Sequence, residues 1–200
     1  RLSEYIITMR IIAGSKRGMK LFSPATRVSR PITDRVKESL FSVLYRYDLP
    51  ANAVVADVFC GVGSLGLESL SRGAAFVTFI EQAPEIVATL ERNIEKAGFV
   101  RNSKVIRTDA FRVAPAVGTG EDDYDLVFVD PPYADSTNAG ADSPLADLLD
   151  LWVDQVAADG IVVVRTSKDV TLLDKYGRFR TEERREWGTM AVTILTKSKT

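Results

Sequence analysis

The hydrophobic pattern changes at regular intervals from residue 54 onward, and these changes predict an α/β fold. Short runs of apolar residues predict buried strands at 54–59, 76–80, 104–107, 126–129 and 161–165. Between them, apolar residues at helical spacing predict helices at 64–72, 84–97 and 146–156. Strands and helices that alternate in this way predict a mostly parallel, doubly wound sheet with helices on both faces.

The pattern after the fifth strand is different. Residues 179–187 and 190–195 form two strand-like runs joined at Gly188, which is typical of an antiparallel hairpin. Together with the five parallel strands, this hairpin predicts a Rossmann-like sheet of seven strands.

The first 48 residues predict a small N-terminal extension. Residues 10–13 and 20–22 flank a turn at 14–18 and predict a β-hairpin, and residues 24–31 are irregular. After them, Thr33 and Asp34 can cap a helix. We therefore divide the chain into an extension at 9–48 and a main domain at 49–200.

Charge is distributed unevenly along the chain. Residues 1–47 contain ten lysines and arginines against three acids, an excess of seven positive charges. Because the whole chain has a net charge of −1, the remainder carries eight net negative charges. A basic arm of this kind suits phosphate groups, although an ordinary solvated surface is the alternative. The candidate contact residues are Arg10, Lys16, Arg17, Lys20, Arg27 and Arg30.

Composition excludes several classes of site. The single cysteine, Cys60, and the absence of histidine exclude a disulfide framework, histidine acid–base catalysis and a Cys/His zinc site, so we predict no metal site. No apolar run approaches the roughly 20 residues of a membrane span, and the N-terminus has no signal-peptide pattern. We expect no membrane partner and a cytoplasmic location.

A glycine loop follows the first predicted strand and opens the first helix of the main domain. Its sequence is Gly61-Val62-Gly63-Ser64-Leu65-Gly66, and Glu81 lies 20 residues beyond Gly61 at the end of the next strand. This arrangement binds dinucleotides, but the glycines and the ribose-binding acid serve S-adenosylmethionine equally well.

Two further acids favour S-adenosylmethionine. Asp57 places a carboxylate close to the loop, where it would repel a pyrophosphate but attract the ammonium group of the methionine moiety. Asp109 and Ala110 offer an acid and a backbone amide for an adenine edge, although Asp109 is also a plausible helix N-cap. Cys60 has no activating neighbour, so we predict a small buried side chain and no nucleophile.

The fourth predicted strand leads into Asp130-Pro131-Pro132-Tyr133, the candidate catalytic motif. Two prolines fix the backbone and remove two donors, so the loop presents acceptors only. The Asp130 carboxylate and the Pro131 carbonyl can accept both N–H bonds of a planar amino group, and Tyr133 can stack on its base. The motif therefore predicts methylation of an exocyclic nitrogen, the alternative being a plain Pro-Pro turn.

The motifs together resemble the RsmD-like methyltransferases, which modify the N2 amino group of a guanine in bacterial 16S ribosomal RNA. The resemblance covers nearly the whole chain from Met9. It includes Met9-Arg10-Ile11-Ile12-Ala13-Gly14, Arg30-Pro31, Asp34-Arg35-Val36 with Glu38-Ser39-Leu40-Phe41, the run from Leu65 to Ala74, and Asp130 to Tyr133.

The resemblance implies a Rossmann-like methyltransferase that binds S-adenosylmethionine and ribosomal RNA or the small ribosomal subunit, and we expect a monomer. It also implies that the basic arm touches RNA and partly covers the cofactor. The predicted cofactor residues are Asp57, Phe59, Gly61, Gly63, Glu81, Asp109 and Ala110.

This chain departs from the family pattern at three positions. Ile32 replaces the usual Thr after Arg-Pro, so we assign any polar contact with the cofactor there to Thr33. Cys60 and Val62 replace Ala and Ser in the loop, which leaves its backbone role unchanged. Residues 1–8 precede the family's usual start, and we expect upstream sequence or a cloning remnant.

Three other functions are compatible with parts of the sequence. An N6-adenine or amide-nitrogen methyltransferase more often has Asn before Pro-Pro-Tyr. The glycine loop permits an NAD-dependent oxidoreductase, but no acid–base pair accompanies it. The basic arm alone would fit a non-catalytic RNA-binding module.

Overall fold

The described part of the chain folds around one mixed sheet of eight strands. The computed structural model describes residues 9–23, 32–115, 123–132 and 136–198. The strands are β1 Val54–Val58, β2 Phe76–Glu81, β3 Ser103–Arg107, β4 Tyr124–Val129, β5 Val156–Ser167, β6 Lys175–Tyr176, β7 Phe179–Trp187 and β8 Met190–Lys197. Their order is β3-β2-β1-β4-β5-β8-β7-β6, with β1 to β5 parallel and β6 to β8 antiparallel.

Within the described ranges, four α-helices accompany the sheet: α1 Asp34–Leu44, α2 Ser64–Ser71, α3 Pro84–Ala97 and α4 Pro144–Trp152. The residues that the sequence predicts at the ends of α1 and α3 cap these helices in the structure. The Thr33 hydroxyl accepts a hydrogen bond from the Val36 amide at the start of α1. Pro84 opens α3 and Gly98, with φ of 74°, ends it.

The sheet has eight strands, so the predicted number of seven is corrected by one. The additional strand is β6, whose two residues pair with Phe179 and Arg180. A two-residue strand is too short to show alternation in the sequence. The predicted helix to residue 156 is also too long, because Val156 pairs with Tyr124 in the sheet.

Both faces of the sheet are buried, as in doubly wound folds. One core combines Val55 and Phe128 of the sheet with apolar side chains of α1, α2 and α3. The other combines Ala56 and Val129 with side chains of α4. Successive strand residues enter opposite cores, which follows from the two-residue period of a strand.

The N-terminal extension contributes Ile11 and Leu21 to the first core. The chain reverses through backbone bonds such as Ile11 N–H to Met19 O at 2.9 Å, but among residues 9–23 only Arg10 and Lys20 form a β-bridge. The predicted hairpin is therefore a short reversal rather than a regular ladder. Gly14 is required there, because a Cβ would lie 1.8 Å from the Ser71 carbonyl oxygen. None of the helices in the described ranges has the length and hydropathy needed to cross a membrane.

Candidate active site

The predicted site residues on the main domain lie at one edge of the sheet, where the parallel strands end. Asp57 is on β1, Glu81 ends β2, Asp109 follows β3 and Asp130 follows β4. Backbone bonds join neighbouring strand ends: the Asp130 amide donates to the Val58 carbonyl. Open α/β sheets bind their ligands at this edge.

The loop after β1 has three residues with positive φ. They are Phe59 (61°), Gly61 (55°) and Gly63 (88°). Such a conformation is rare for a bulky side chain, and backbone strain of this kind concentrates at functional sites.

The glycines of the loop have different structural roles. A Cβ on Gly61 would meet no atom within 4 Å, so a ligand can approach its backbone. A Cβ on Gly63 would lie 2.5 Å from Leu90, and one on Gly66 would lie 2.3 Å from Phe79. Gly63 and Gly66 thus allow α2 to pack closely, and the cofactor contact of Gly63 remains a prediction.

Asp57 is buried beneath the loop, with 2% of its surface exposed. Its Oδ2 accepts a hydrogen bond from the Gly66 amide at 2.8 Å, which fixes the first turn of α2. Burial, followed by the charges of Asp130 and Glu81, raises the pKa of Asp57 to about 8, while the Gly66 bond opposes the rise.

Glu81 connects the loop to the end of β2. Its Oε2 accepts from the Gly61 amide at 3.1 Å, and its Oε1 accepts from the amides of Gln82 and Ala83. These three bonds fix the carboxylate beside the open backbone of Gly61. A carboxylate oxygen can accept further bonds from ribose hydroxyls there.

Asp109 makes a local turn, in which its Oδ1 accepts from the Phe111 amide at 3.1 Å. It also forms an exposed ion pair with Arg112 at 3.3 Å. The Phe111 ring packs against Phe59 with centroids 5.0 Å apart, and Ala110 is buried. No helix begins directly after Asp109 in the described residues, so its carboxylate stabilises a turn and is not a helix N-cap, and its contact with adenine remains a prediction.

Asp130 carries the candidate acceptor group. Its side chain is 23% exposed and its Oδ1 accepts from Nε of Arg165 at 2.7 Å. Burial raises the pKa of the Asp130 carboxyl, and the guanidinium of Arg165 opposes that rise. Pro131 is buried and Pro132 is exposed, whereas Tyr133 lies outside the described residues.

Sequence reasoning missed Arg165, which lies in β5 with 8% of its side chain exposed. The sequence feature that could have identified Arg165 is a single charged residue directly after the apolar run 161–164. Buried charges need partners, so an arginine at this place in a strand should have been paired with an acid on the neighbouring strand end.

Sequence reasoning also missed a buried ionic network below the N-terminal extension. Glu68, fully buried, accepts from the amides of Ile12 and Ala13 and pairs with Lys37 and Arg72. Lys37 is 1% exposed, and burial lowers its pKa although Glu68 opposes the shift. Lys37, one of the ten lysines and arginines counted in the basic arm, is therefore part of the buried core.

The basic arm is exposed at Arg10, Arg17 and Lys20. Arg10 forms an ion pair with Asp34 at 2.6 Å, and Lys16 lies over the ring of Phe99. Arg27 and Arg30, whose RNA contacts the sequence predicts, lie outside the described residues.

The extension adjoins two cations of α3 that the sequence did not single out. The exposed ring of Phe22 lies 4.3 Å from the Arg92 guanidinium and 4.5 Å from Nζ of Lys96. The side chain of buried Asn93 accepts a hydrogen bond from the Phe22 amide and donates one to the Phe22 carbonyl. It also donates to the Val62 carbonyl of the glycine loop. Asn93 therefore links the N-terminal extension to the glycine loop.

Cys60 is a free, buried cysteine, as predicted. Burial, with the nearby charges of Asp57 and Glu81, raises the pKa of its thiol well above the ordinary value. A thiol in this state is a poor nucleophile.

The residues present at this edge fit S-adenosylmethionine. Gly61 leaves its backbone open beside the Glu81 carboxylate, and the Asp57 side chain, whose raised pKa favours the protonated form, lies beneath the same loop. An acidic lining of this kind suits a ligand with an ammonium and a sulfonium group better than one with a pyrophosphate. Thr33 caps α1, and its contact with the cofactor remains a prediction.

Comparisons with known proteins agree with this geometry. The family model Conserved hypothetical protein 95 matches residues 9–196. The chain is 31% identical to YlbH of Bacillus subtilis, provisionally named an rRNA methyltransferase, over 94% of this chain and 99% of that protein. It is 34% identical to Ribosomal RNA small subunit methyltransferase D of Haemophilus influenzae over 82% of each chain. The solved structure of yhhF from Escherichia coli, provisionally described as a methyltransferase, superimposes with a TM-score of 0.78 at 29% identity, over 96% of this chain and 98% of that one.

Fold and site define a Rossmann-like methyltransferase, whose methyl donor is S-adenosylmethionine. The chain belongs to the Conserved hypothetical protein 95 family, the RsmD family of RNA methyltransferases. The predicted fold class, cofactor and family are thereby confirmed.

Proposed function

We propose that this protein transfers the methyl group of S-adenosylmethionine to the exocyclic N2 amino group of a guanine in small-subunit (16S) ribosomal RNA. The observation that carries the proposal is the anchored carboxylate of Asp130, which follows β4 beside the cofactor loop and keeps part of its surface accessible. The names of the relatives support ribosomal RNA as the substrate.

A carboxylate at this position favours guanine over adenine. The Watson–Crick edge of guanine presents N1–H and the N2 amino group side by side, so both groups can donate to acceptors. The same edge of adenine presents the N1 acceptor beside its amino group, which a carboxylate repels. The loop presents acceptors only, and a carboxylate oxygen that accepts from the amino group can also accept from the neighbouring N1–H of guanine, whereas it would repel N1 of adenine.

The residues act by positioning. Bound S-adenosylmethionine supplies an electrophilic methyl group on sulfur. Asp130 and the Pro131 carbonyl grip the two N–H bonds, so that the nitrogen lone pair points at this methyl group. As the N–C bond forms, the amine becomes acidic, and its proton leaves late to Asp130 or to water. We assign to Tyr133 the stacking surface for the base.

The basic arm is the proposed RNA contact. Arg10, Arg17 and Lys20 are exposed, and Arg92 and Lys96 extend the positive surface around Phe22. Such a surface engages RNA phosphates without reading sequence. We therefore propose that an assembled small subunit supplies the recognition that this arm lacks, that a monomer of the protein binds it, and that the reaction takes place in the cytoplasm.

Methylation of ribosomal substrates tests the proposal. Small subunits and naked 16S RNA from a bacterial strain without its own RsmD-type enzyme are incubated with the protein and radiolabelled S-adenosylmethionine, and digested nucleosides are separated. We expect N2-methylguanosine, and more of it from the better substrate, the assembled particle. Label in N6-methyladenosine, or no label in either substrate, would refute the guanine assignment.

The matched variant is Asp130→Ala. It should abolish methyl transfer while calorimetry shows nearly unchanged binding of S-adenosylmethionine, because Asp130 touches the target base and not the cofactor. Loss of cofactor affinity with normal residual turnover would contradict the role given to Asp130.

A further inference from the structure

The ion pair between Arg165 and Asp130 lies where β4 ends beside its parallel neighbour β5, which continues to Ser167. Val129 of β4 is in register with Val164 of β5, so Asp130, directly after β4, comes beside Arg165, the next residue of β5. The Arg165 Nε lies 2.7 Å from Oδ1 of Asp130. On the other side of β5, Arg165 pairs with Val192 of β8, so its backbone is held in the sheet.

Burying the charged side chain of Arg165 costs free energy, and this cost points to a functional role for the charge. The side chain is 8% exposed and follows four apolar residues in an interior strand. Taking a guanidinium out of water costs several kcal/mol, and a buried ion pair often stabilises a fold no better than apolar residues would. Stability alone therefore gives a weak reason for an arginine here.

The pair has a chemical consequence for the target amine. A carboxylate that rotates freely presents either oxygen in any direction, and a protonated carboxyl loses acceptor capacity. Contact at Oδ1 fixes the orientation of the carboxylate and leaves Oδ2 for the substrate. The fixed positive charge of Arg165 also favours the ionised carboxylate, against the burial that raises the pKa of Asp130.

We propose that Arg165 is a positioning residue for methyl transfer: it holds Oδ1 of Asp130 so that Oδ2 faces the target amino group as an acceptor. This inference rests on the proposed function of the same site. Arg165 itself touches neither the methyl group nor the base. When Asp130 takes the amine proton after the N–C bond has formed and the C–S bond has broken, Arg165 returns it to the ionised state by favouring release of that proton to water.

Three variants separate charge from geometry. Arg165→Met removes both, Arg165→Lys keeps the charge without the planar Nε–H donor, and Asp130→Asn removes the titrating group. Rates of methyl transfer to small subunits are measured from about pH 5 to 9 at saturating S-adenosylmethionine. The charged groups around Asp130 that shape these profiles are Arg165 on β5, Asp57 on β1 and, through Asp57, Glu81 on β2.

We expect Arg165→Met to lower kcat about 10- to 100-fold near pH 7, the size of effect that a misplaced catalytic group has. Its acidic limb should move to higher pH, so that part of the rate returns under alkaline conditions, while the affinity for S-adenosylmethionine changes little. Arg165→Lys should keep the acidic limb near its wild-type position with a reduced kcat. In the Asp130→Asn background, Arg165→Met should cost far less.

Wild-type kcat and pH profile in Arg165→Met, or an equal loss in the Asp130→Asn background, would overturn the inference. The exposed Arg178→Met is the matched control, and thermal melting checks folding of every variant. If Arg165→Met does not fold, Arg165→Gln serves in its place, with the same shift expected. A wild-type product other than N2-methylguanosine would refute the proposed function, while the pH comparison would still decide the role of Arg165.

Discussion

The Oδ2 atom of Asp57 accepts a hydrogen bond from the backbone amide of Gly66 at 2.8 Å. A buried carboxylate on β1 thereby holds the first turn of α2 in place. The bond connects β1, which precedes the glycine loop, with α2, which follows it. It also links the protonation state of Asp57 to the packing of α2 on the sheet.

The elevated pKa of Asp57 predicts that stability falls as the pH rises. The folded-state pKa is about 8 against an ordinary 3.8, so between these values the folded protein holds a proton that the unfolded chain releases. The stabilisation is complete below about pH 4 and is lost towards pH 8. Urea denaturation from pH 5 to 8 should show a decline that is larger in the wild type than in Asp57→Asn by on the order of 3 kcal/mol. Parallel curves for the two proteins would show that Asp57 is already ionised in the folded state.

The glycine loop predicts opposite phenotypes for two similar substitutions. Gly66→Ala places a Cβ 2.3 Å from the Phe79 ring and should lower the free energy of unfolding by about 1–3 kcal/mol. Gly61→Ala meets no neighbouring atom, so its larger effect should be on the affinity for S-adenosylmethionine, beyond about 1 kcal/mol of strain from its positive φ. Denaturation and calorimetry on both variants measure the two effects. Equal losses of cofactor affinity would contradict the division of tasks.

The buried Lys37–Glu68 pair predicts a large stability effect from a conservative change. Glu68→Gln leaves the buried ammonium of Lys37 without its counter-charge and should cost about 3–5 kcal/mol. The double variant Lys37→Met/Glu68→Gln should cost less than the sum of the single changes. The matched control is the exposed pair of Arg10 with Asp34, where Asp34→Asn should cost less than about 1 kcal/mol. Additive losses in chemical denaturation would show that the two buried charges do not depend on each other.

The exposed part of the arm predicts a salt-dependent effect on RNA. Arg17→Glu and Lys20→Glu should weaken binding of small subunits, and the slope of log affinity against log salt should fall by roughly 1 for each lost phosphate contact. Lys175→Glu, on the far strand β6, is the control for net charge. Titrations at several salt concentrations provide the measurement. An unchanged slope in the arm variants would place the RNA contact elsewhere.

Local signals predicted many elements with their ends. Pro84 and Gly98 delimit α3, because proline suits the first turn of a helix and glycine accepts the left-handed conformation at its end. Gly188 joins β7 to β8 for a similar reason. The predictions were less exact for elements whose ends carry no such proline or glycine, as β6 and the end of α4 show. Pairing between distant segments decides where these elements begin and end.

The sequence by itself determined the doubly wound fold and the placement of Asp57, Glu81 and Asp130 at the carboxyl edge of the parallel strands, because strand period and turn chemistry are local properties. Tertiary structure alone decided which charges meet. Arg165 is 35 residues from Asp130, and only the register of β4 with β5 brings them together. Lys37 is counted with the basic arm in the sequence but enters the core beside Glu68, because the packing of α1 on α2 encloses it. Interactions between residues so far apart depend on how the elements pack, which no local pattern records.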